Sequence, residues 1–194
     1  MAALMAVFIG IVMGSLAGYY GGAVDALVMR VTEFFQVLPA LLFAMVLMTI
    51  FPPSLTTMSL AIGLVMWPAT ARLARAEFLR LRGLDYVRAE KAMSAGDLRI
   101  IWRIILPNAL PPLIVAAALA VGVSILFEAG LSFLGLGDPS ARSWGEMIGS
   151  NRSYIYDCPW AVVFPGIAIF LTVLGVTLLG DGVNDALNPR LRER

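Results

Sequence analysis

Long stretches without any charged residue dominate the pattern of this chain. Four of them stand out, at residues 1–20, 34–71, 104–127 and 158–180. A helix needs about 20 apolar residues to cross about 30 Å of hydrocarbon. The second stretch is long enough for two crossings, and "FPPSLTT" at residues 51–57 predicts a turn inside it. We therefore predict five spans, at residues 1–19, 34–51, 57–74, 108–128 and 160–180.

A very apolar soluble helical bundle is the alternative interpretation of this pattern. Helices of soluble proteins carry a polar face at a period near 3.6 residues, and "LPPLIVAAALAVGVSILF" shows no such face. Only 14% of the residues are charged, whereas soluble domains are about 25% charged. The predicted fold class is therefore an all-α integral membrane protein, with one transmembrane domain over residues 1–194.

Basic residues are distributed unevenly between the segments that separate the spans. Twelve of the fourteen lie in residues 20–33, 72–107 and 181–194, and two lie in 129–159. Because basic loops remain in the cytoplasm, the first three segments are predicted to be cytoplasmic. Residues 52–56 and 129–159 are predicted to face outward. This orientation places Met1 outside, which suggests that an earlier span is missing from the front of the chain.

The charged segment at residues 80–107, here called the charged loop, lies between the third and fourth predicted spans. It predicts two short helices joined at Gly96, with Asp97 as the N-cap of the second and Pro107 ending it. Isoleucines at 100, 101, 104 and 105 give the second helix an apolar side. The residues alone leave two interpretations open: a handle for a soluble partner, or an interfacial helix that rests on lipid headgroups.

Part of the charged loop, residues 88–107, resembles the EAA loop of ABC-transporter permeases. The family pattern is Glu-Ala-Ala, then a glycine, then Ile-x-Leu-Pro, and this chain departs from it with Arg88 for the glutamate, Glu90 for the last alanine and Ser94 for the glycine. Gly96 is then expected to supply the flexibility. The resemblance implies that an ATPase subunit docks here, and the implied coupling residues are Ala89, Glu90, Ala92, Ser94, Gly96, Asp97, Ile104, Leu106 and Pro107.

The resemblance extends over nearly the whole chain. "GSLAGYYGGAVDALVMRVTEFFQVLPALLFAMVL", "FEAGLSFLGLGDPSARSWGEMI" and "LLGDGVNDALNPRLR" are similar to the C-type permease of dipeptide, oligopeptide and nickel importers. That family has six spans, so the resemblance also implies an N-terminal truncation. It implies a bacterial or archaeal cell membrane, a second permease subunit, two cytoplasmic ATP-binding subunits and an extracytoplasmic solute-binding protein.

The end of the fourth predicted span contains candidate pathway or gate residues. Glu128 closes an uncharged stretch, and an ionisable group at membrane depth is a functional candidate. Its position near the outer end also allows a structural role, in which it reaches water or caps a helix. Gly135 and Gly137 suggest tight turns, either in an outer gate or in an ordinary loop.

Several classes of chemistry are excluded or unsupported by the sequence. The chain has no histidine and a single cysteine, so it offers no Cys/His metal site and no internal disulfide. Its only lysine, Lys91, lacks the context of a nucleotide-binding P-loop. We expect no enzyme activity, no cofactor and no nucleic-acid partner. A membrane scaffold without a pathway, whose basic loop binds anionic lipid, is the alternative function.

Overall fold

The computed structural model describes residues 1–187 and confirms the all-α prediction, since no strand occurs within that range. Arg190, Arg192 and Arg194, which we assigned to a cytoplasmic tail, lie outside it. The helices are α1 (Ala2–Tyr20), α2 (Gly22–Val37), α3 (Ala40–Ile50), α4 (Leu55–Arg82), α5 (Asp85–Ala92), α6 (Asp97–Ile100), α7 (Leu106–Phe133), α8 (Trp144–Asn151) and α9 (Trp160–Leu187). A π-helical turn, Ile101–Ile105, joins α6 to α7, and a 3₁₀ turn, Arg152–Tyr154, follows α8.

Glycines spaced four residues apart allow α1 to pack very closely on α4. A Cβ added at Gly10 would lie 2.9 Å from the carbonyl oxygen of Trp67, and one at Gly18 would lie 2.7 Å from that of Arg75. At Gly14 it would lie 2.7 Å from the Cβ of Ala74. Small residues at this spacing let membrane helices approach backbone to backbone. The spacing is visible in the sequence, although the hydrophobic pattern alone does not reveal it.

The predicted span 34–51 is wrong as a single helix. The chain is helical through α2 and again in α3, and the two helices meet at an angle of 85°. Pro39 explains the break, because a proline disfavours helical backbone at the preceding residue, and Leu38 is extended with ψ 130°. Phe35 packs edge-on against Trp67 of α4, with ring centroids 5.5 Å apart, so the bend lies against the bundle.

Three helical segments in residues 1–187 are long and apolar enough to cross a membrane: α1, the continuous helix Asp97–Phe133, and Trp160–Ala186 of α9. The bent pair α2–α3 makes a fourth if it is one span. The predicted span 57–74 lies in α4. This helix is not one of the three, because its hydroxyl side chains and Arg72 lower its mean hydropathy. Several residues of α4 between Met58 and Leu81 nevertheless supply much of the core, and Thr70 is buried among them.

The prediction that Pro107 ends a short helix is also wrong. The helix continues without interruption from Asp97 to Phe133 over 37 residues. A proline lacks the N–H of a regular helix, and its ring clashes with the carbonyl four residues back. The widened π-helical turn directly before Pro107 relaxes that spacing, with Leu106 N–H bonded to Ile101 O. Residues 97–107 of the charged loop and the next predicted span therefore form one continuous helix.

The basic segment 72–107 and the segment 129–159 lie at opposite ends of the bundle. At one end, Arg82 and Tyr19 make a hydrogen bond of 2.6 Å between the last turns of α4 and α1. At the other end, Leu55 N–H donates to Asp138 Oδ2 at 3.1 Å, joining the start of α4 to the segment after α7. A helix of 28 residues such as α4 is about 42 Å long. The two ends are thus separated by enough distance to lie on opposite sides of a bilayer.

Candidate functional site

The charged loop is attached to the bundle through its apolar side chains. Ile100 and Ile105 are fully buried, and they join Val87, Phe78 and Tyr19 in one core cluster. This burial confirms the apolar side that the isoleucines predicted. It also means that α5, α6 and the ends of α1 and α4 form one packed unit, so a force on the loop reaches two long helices besides α7.

The turn between α5 and α6 is centred on Ser94 and not on Gly96. Ser94 has φ +60°, which makes it the one non-glycine residue with positive φ among residues 1–187. Such backbone favours glycine, and this is the position at which the EAA pattern has a glycine. Gly96 has φ −66° and ψ 147°, a conformation open to any residue. The expectation that Gly96 supplies the flexible joint is therefore not supported by its backbone.

Asp97 has a different role from the N-cap that we predicted. Gly96 occupies the cap position, and no side chain caps α6. Asp97 lies one residue further on, where its carboxylate accepts a hydrogen bond of 2.6 Å from the Tyr19 hydroxyl. A carboxylate in the first turn of a helix is also favoured by the helix dipole. The contact ties α1 to the start of the 37-residue helix, and sequence spacing could not reveal a pair 78 residues apart.

The candidate coupling residues separate into an exposed set and an anchoring set. Ala89, Ala92, Ser94, Gly96 and Asp97 are exposed, and Pro107 also lies on the surface. Glu90, Ile104 and Leu106 are half-buried, and the last two pack against the core cluster. Two large apolar side chains beside the exposed set, Met93 and Leu98, are each 70% exposed. The exposed set and its apolar neighbours form a surface that a partner protein could cover.

A partly buried ion pair fixes the neighbouring helix α2 to the same end of α4. Arg75 donates from Nε and Nη2 to the two carboxylate oxygens of Asp25, with Nη2 to Oδ2 at 2.6 Å. A bidentate arginine–carboxylate pair fixes orientation as well as distance. The end of the bundle that carries the charged loop is thus cross-linked by polar contacts between α1, α2, α4 and α6.

Glu128 lines an open cleft of about 700 Å³ at the other end of the bundle. Its carboxylate accepts a 2.7 Å hydrogen bond from Ser132 one turn further along α7. Ser124 and Thr172 line the same cleft, together with Trp144 of α8. The side chain is half-buried. Both predicted roles are compatible with this position, because the hydrogen bond is structural and the cleft gives the carboxylate access to solvent.

Gly135 and Gly137 form the turn that ends α7. Gly135 has φ +82°, the left-handed conformation that glycine adopts after a helix end. A Cβ at Gly137 would lie 2.8 Å from Ser132 Oγ, the hydroxyl that bonds to Glu128. The two glycines therefore have conformational and steric reasons to be there. They place the next residue, Asp138, beside α4.

Asp138 holds this loop against the start of α4. Besides Leu55 N–H, it accepts hydrogen bonds from the backbone N–H and the hydroxyl of Ser140, at 2.8 Å and 2.6 Å. The hydrogen bonds from Ser140 and then from Leu55 favour the carboxylate, so the pKa of Asp138 lies below its usual value. The segment from 129 to 159 is thus a packed structure that includes α8, whose Gly149 approaches the Phe133 carbonyl oxygen of α7.

Comparison with known families identifies what kind of chain carries these sites. The family model described as binding-protein-dependent transport system inner membrane component matches residues 10–193. The chain belongs to this family. The family's description places its members in the inner membrane, in accord with the three to four apolar helices. The whole charged loop and the Glu128 region lie inside the matched residues.

Relatives with high identity are permease proteins. The chain is 40% identical over 96% of its length to a dipeptide transport system permease protein of Alkalihalophilus pseudofirmus. It is 44% identical over 94% of its length to a probable D,D-dipeptide transport system permease protein of Escherichia coli. A glutathione transport system permease protein of Pectobacterium atrosepticum is 39% identical over 97% of the chain. The chain spans 62%, 61% and 63% of the length of these three relatives.

Among solved structures, the chain resembles one from the MetNI methionine ABC transporter in inward-facing conformations. The TM-score is 0.76, and the match covers 96% of this chain and 91% of the other at 18% identity. At that identity the match concerns the fold alone. It confirms the expected architecture of an ABC-importer permease.

Proposed function

We propose that this chain is the transmembrane permease subunit of an ATP-driven importer for dipeptides or short oligopeptides. The observation that carries the proposal is the identity of about 40% with peptide permeases over nearly the whole chain. The chain has no P-loop lysine context and no histidine, so the energy of transport would come from ATP hydrolysis on separate subunits. The chain itself would not be an enzyme.

The exposed set of the charged loop is the proposed ATPase contact. Ala89 and Ala92 lie on one side of α5 and leave room for a partner's backbone, while Met93 and Leu98 offer apolar contact area. Behind this surface, the buried isoleucines and the Tyr19–Asp97 bond connect the loop to α1, α4 and α7. Movement of the ATPase would therefore displace three long helices together, as alternating access requires.

The proposed assembly contains a second permease, two cytoplasmic ATP-binding subunits and an extracytoplasmic solute-binding protein. Its place is the inner membrane of a bacterial or archaeal cell, with residues 80–107 in the cytoplasm and 129–159 outside. The charge distribution supports this orientation, with eight of the fourteen basic residues between 72 and 107. The solute-binding protein would meet α8 and the loop that Asp138 holds.

Glu128 is proposed to face the translocation pathway. The cleft that it lines contains few polar side chains, so the carboxylate is its main charge. A peptide carries a positively charged amino terminus, which a partly desolvated carboxylate would attract. Gly135 and Gly137 would act with it by setting the geometry of the outer end of α7.

Uptake in cells tests the proposal against a scaffold function. Deleting the gene should abolish uptake of a labelled dipeptide, and restoring it in trans should recover uptake. A detergent pull-down of the permease should bring an ATP-binding subunit with it. A scaffold would leave uptake intact and capture no ATPase, and that result would overturn the proposal.

A further inference from the structure

A basic pocket lies beside the charged loop and has no assigned role. Its volume is about 470 Å³, and it is formed by the end of α1, the end of α4, α5 and α6. Three of its lining side chains are cationic and none is acidic; they are Arg82, Arg88 and Lys91. Arg88 and Lys91 are three residues apart on α5, so they lie on one face of that helix.

The charges of this pocket are only partly compensated by the protein. Arg82 is oriented by a 2.6 Å hydrogen bond from its Nη1 to the Tyr19 carbonyl oxygen. Its guanidinium forms no ion pair with any carboxylate of residues 1–187. Arg88 lies 4.0 Å from Asp85, but the two side chains are 71% and 102% exposed, so the pair is weak. Lys91 makes no hydrogen bond or ion pair within residues 1–187. Asp97 lies at the start of α6 and accepts a hydrogen bond from the Tyr19 hydroxyl.

The position of the pocket suits a lipid headgroup. Tyr19 and Arg82 lie in the last turns of α1 and α4, where long apolar helices give way to the charged loop. Leu79, one turn before Gly83, adds an apolar wall that is 40% exposed. A phospholipid offers a matching combination, because its phosphate is anionic and its glycerol and acyl chains are apolar. Basic pockets at the cytoplasmic ends of membrane helices are known to accept such headgroups.

We infer that this pocket binds the phosphate of an anionic phospholipid headgroup, held by Arg82, Arg88 and Lys91. The lipid would lie between the end of α4 and the charged loop and would fix the position of α5. This site is separate from the exposed coupling set, and the inference does not depend on the transported substrate. It does depend on the pocket lying at the membrane surface.

Native mass spectrometry of the full chain in detergent tests this directly. Short-chain phosphatidylglycerol is titrated into the wild type, the double variant Arg88→Gln/Lys91→Gln, and the control Arg99→Gln/Arg103→Gln. The control removes the same charge from the same loop outside the pocket. Each basic residue near an anionic surface raises the binding affinity about fivefold. The pocket variant lacks two such residues, so it should bind the lipid about 25-fold more weakly. The control should retain wild-type affinity, and zwitterionic phosphatidylcholine should bind poorly to all three.

Three results would overturn the inference. An equal loss of lipid affinity in both double variants would show that the lipid is attracted by the overall charge of the loop. Unchanged lipid affinity in the pocket variant would show that the lipid does not bind in the pocket. An equal affinity for inorganic phosphate would identify the ligand as a soluble anion and not a lipid. Because the chain is tested without an ATPase, failure here would leave the proposed transport function untouched.

Discussion

The Tyr19 hydroxyl lies 2.6 Å from Asp97 Oδ1 and joins the end of the first helix to the start of the 37-residue helix. The contact connects α1, whose Gly10, Gly14 and Gly18 form a glycine stripe packed against α4, to the part of the chain that resembles a coupling loop. Both residues belong to a packed end of the bundle, where Arg82 also bonds to the backbone of Tyr19. A movement of the loop therefore need not pass through α7 alone.

Removing this hydroxyl should loosen the attachment of the loop. For Tyr19→Phe we expect a loss of about 1.5–3 kcal/mol in stability, because the hydrogen bond that is lost joins the Tyr19 hydroxyl to a charged carboxylate. Hydrogen exchange of residues 97–105 should become faster. Tyr20→Phe is the matched control, since Tyr20 is half-exposed and its hydroxyl makes no hydrogen bond within residues 1–187. Equal exchange in both variants would show that the contact does not hold the loop.

Filling the glycine stripe should separate α1 from α4. A valine at Gly14 would bring its Cβ to 2.7 Å from that of Ala74 and closer still to backbone, and overpacking of this kind costs about 1–3 kcal/mol. We expect a lower thermal midpoint and less folded protein in detergent. Gly175→Val is the control in α9, where an added Cβ meets nothing within 4 Å. A similar loss in both variants would point to helix propensity and not to packing.

The turn at Ser94 should become more stable with glycine. Left-handed backbone costs a non-glycine residue about 1–2 kcal/mol, so Ser94→Gly should raise the thermal midpoint, and Ser94→Val should lower it. Gly96→Ala serves as the reference, because its φ of −66° suits any residue and an added Cβ meets nothing. If Gly96→Ala lowers the thermal midpoint and Ser94→Gly does not raise it, the turn between α5 and α6 is centred on Gly96 and not on Ser94.

The loop at Asp138 should lose stability in acid. Its pKa is lower in the folded protein than in the unfolded chain, because Ser140 and Leu55 donate to the carboxylate. Such a group stabilises the fold above its unfolded pKa of about 3.9, and this contribution disappears as the pH falls through the folded pKa. The thermal midpoint of the wild type should thus exceed that of Asp138→Asn at pH 7, and the difference should shrink below about pH 4. Asp157→Asn, which removes an acid that accepts none of these hydrogen bonds, is the matched control.

The hydrophobic pattern predicted the fold class, both ends of α1 and the start of α9, because uncharged runs of this length have few alternatives, but α9 continues seven residues beyond the predicted end at 180. It did not predict the effect of the prolines, because that effect depends on the backbone geometry of the preceding turn. Pro39 bends the chain and Pro107 does not, since a widened turn precedes only the second. The motif predicts an EAA-type loop at residues 88–107, and Ser94 has the positive φ that a glycine position in that motif implies. The Tyr19–Asp97 contact was not predictable, because it depends on how helices distant in sequence pack together.

The exposed set of the charged loop is the proposed mechanical link to an ATPase. Ala89→Asp tests it most directly, because Ala89 is exposed and the change should leave the permease folded. Ala186→Asp places the same charge at an exposed site near the end of α9, outside the loop. The measurement is ATPase co-purification together with dipeptide uptake, both normalised to the amount of inserted permease. We expect both to fall at least about tenfold for Ala89→Asp, as a buried unpaired charge at an interface costs several kcal/mol, while Ala186→Asp remains like the wild type. Wild-type co-purification and uptake in Ala89→Asp would contradict the account and leave the loop as an interfacial helix.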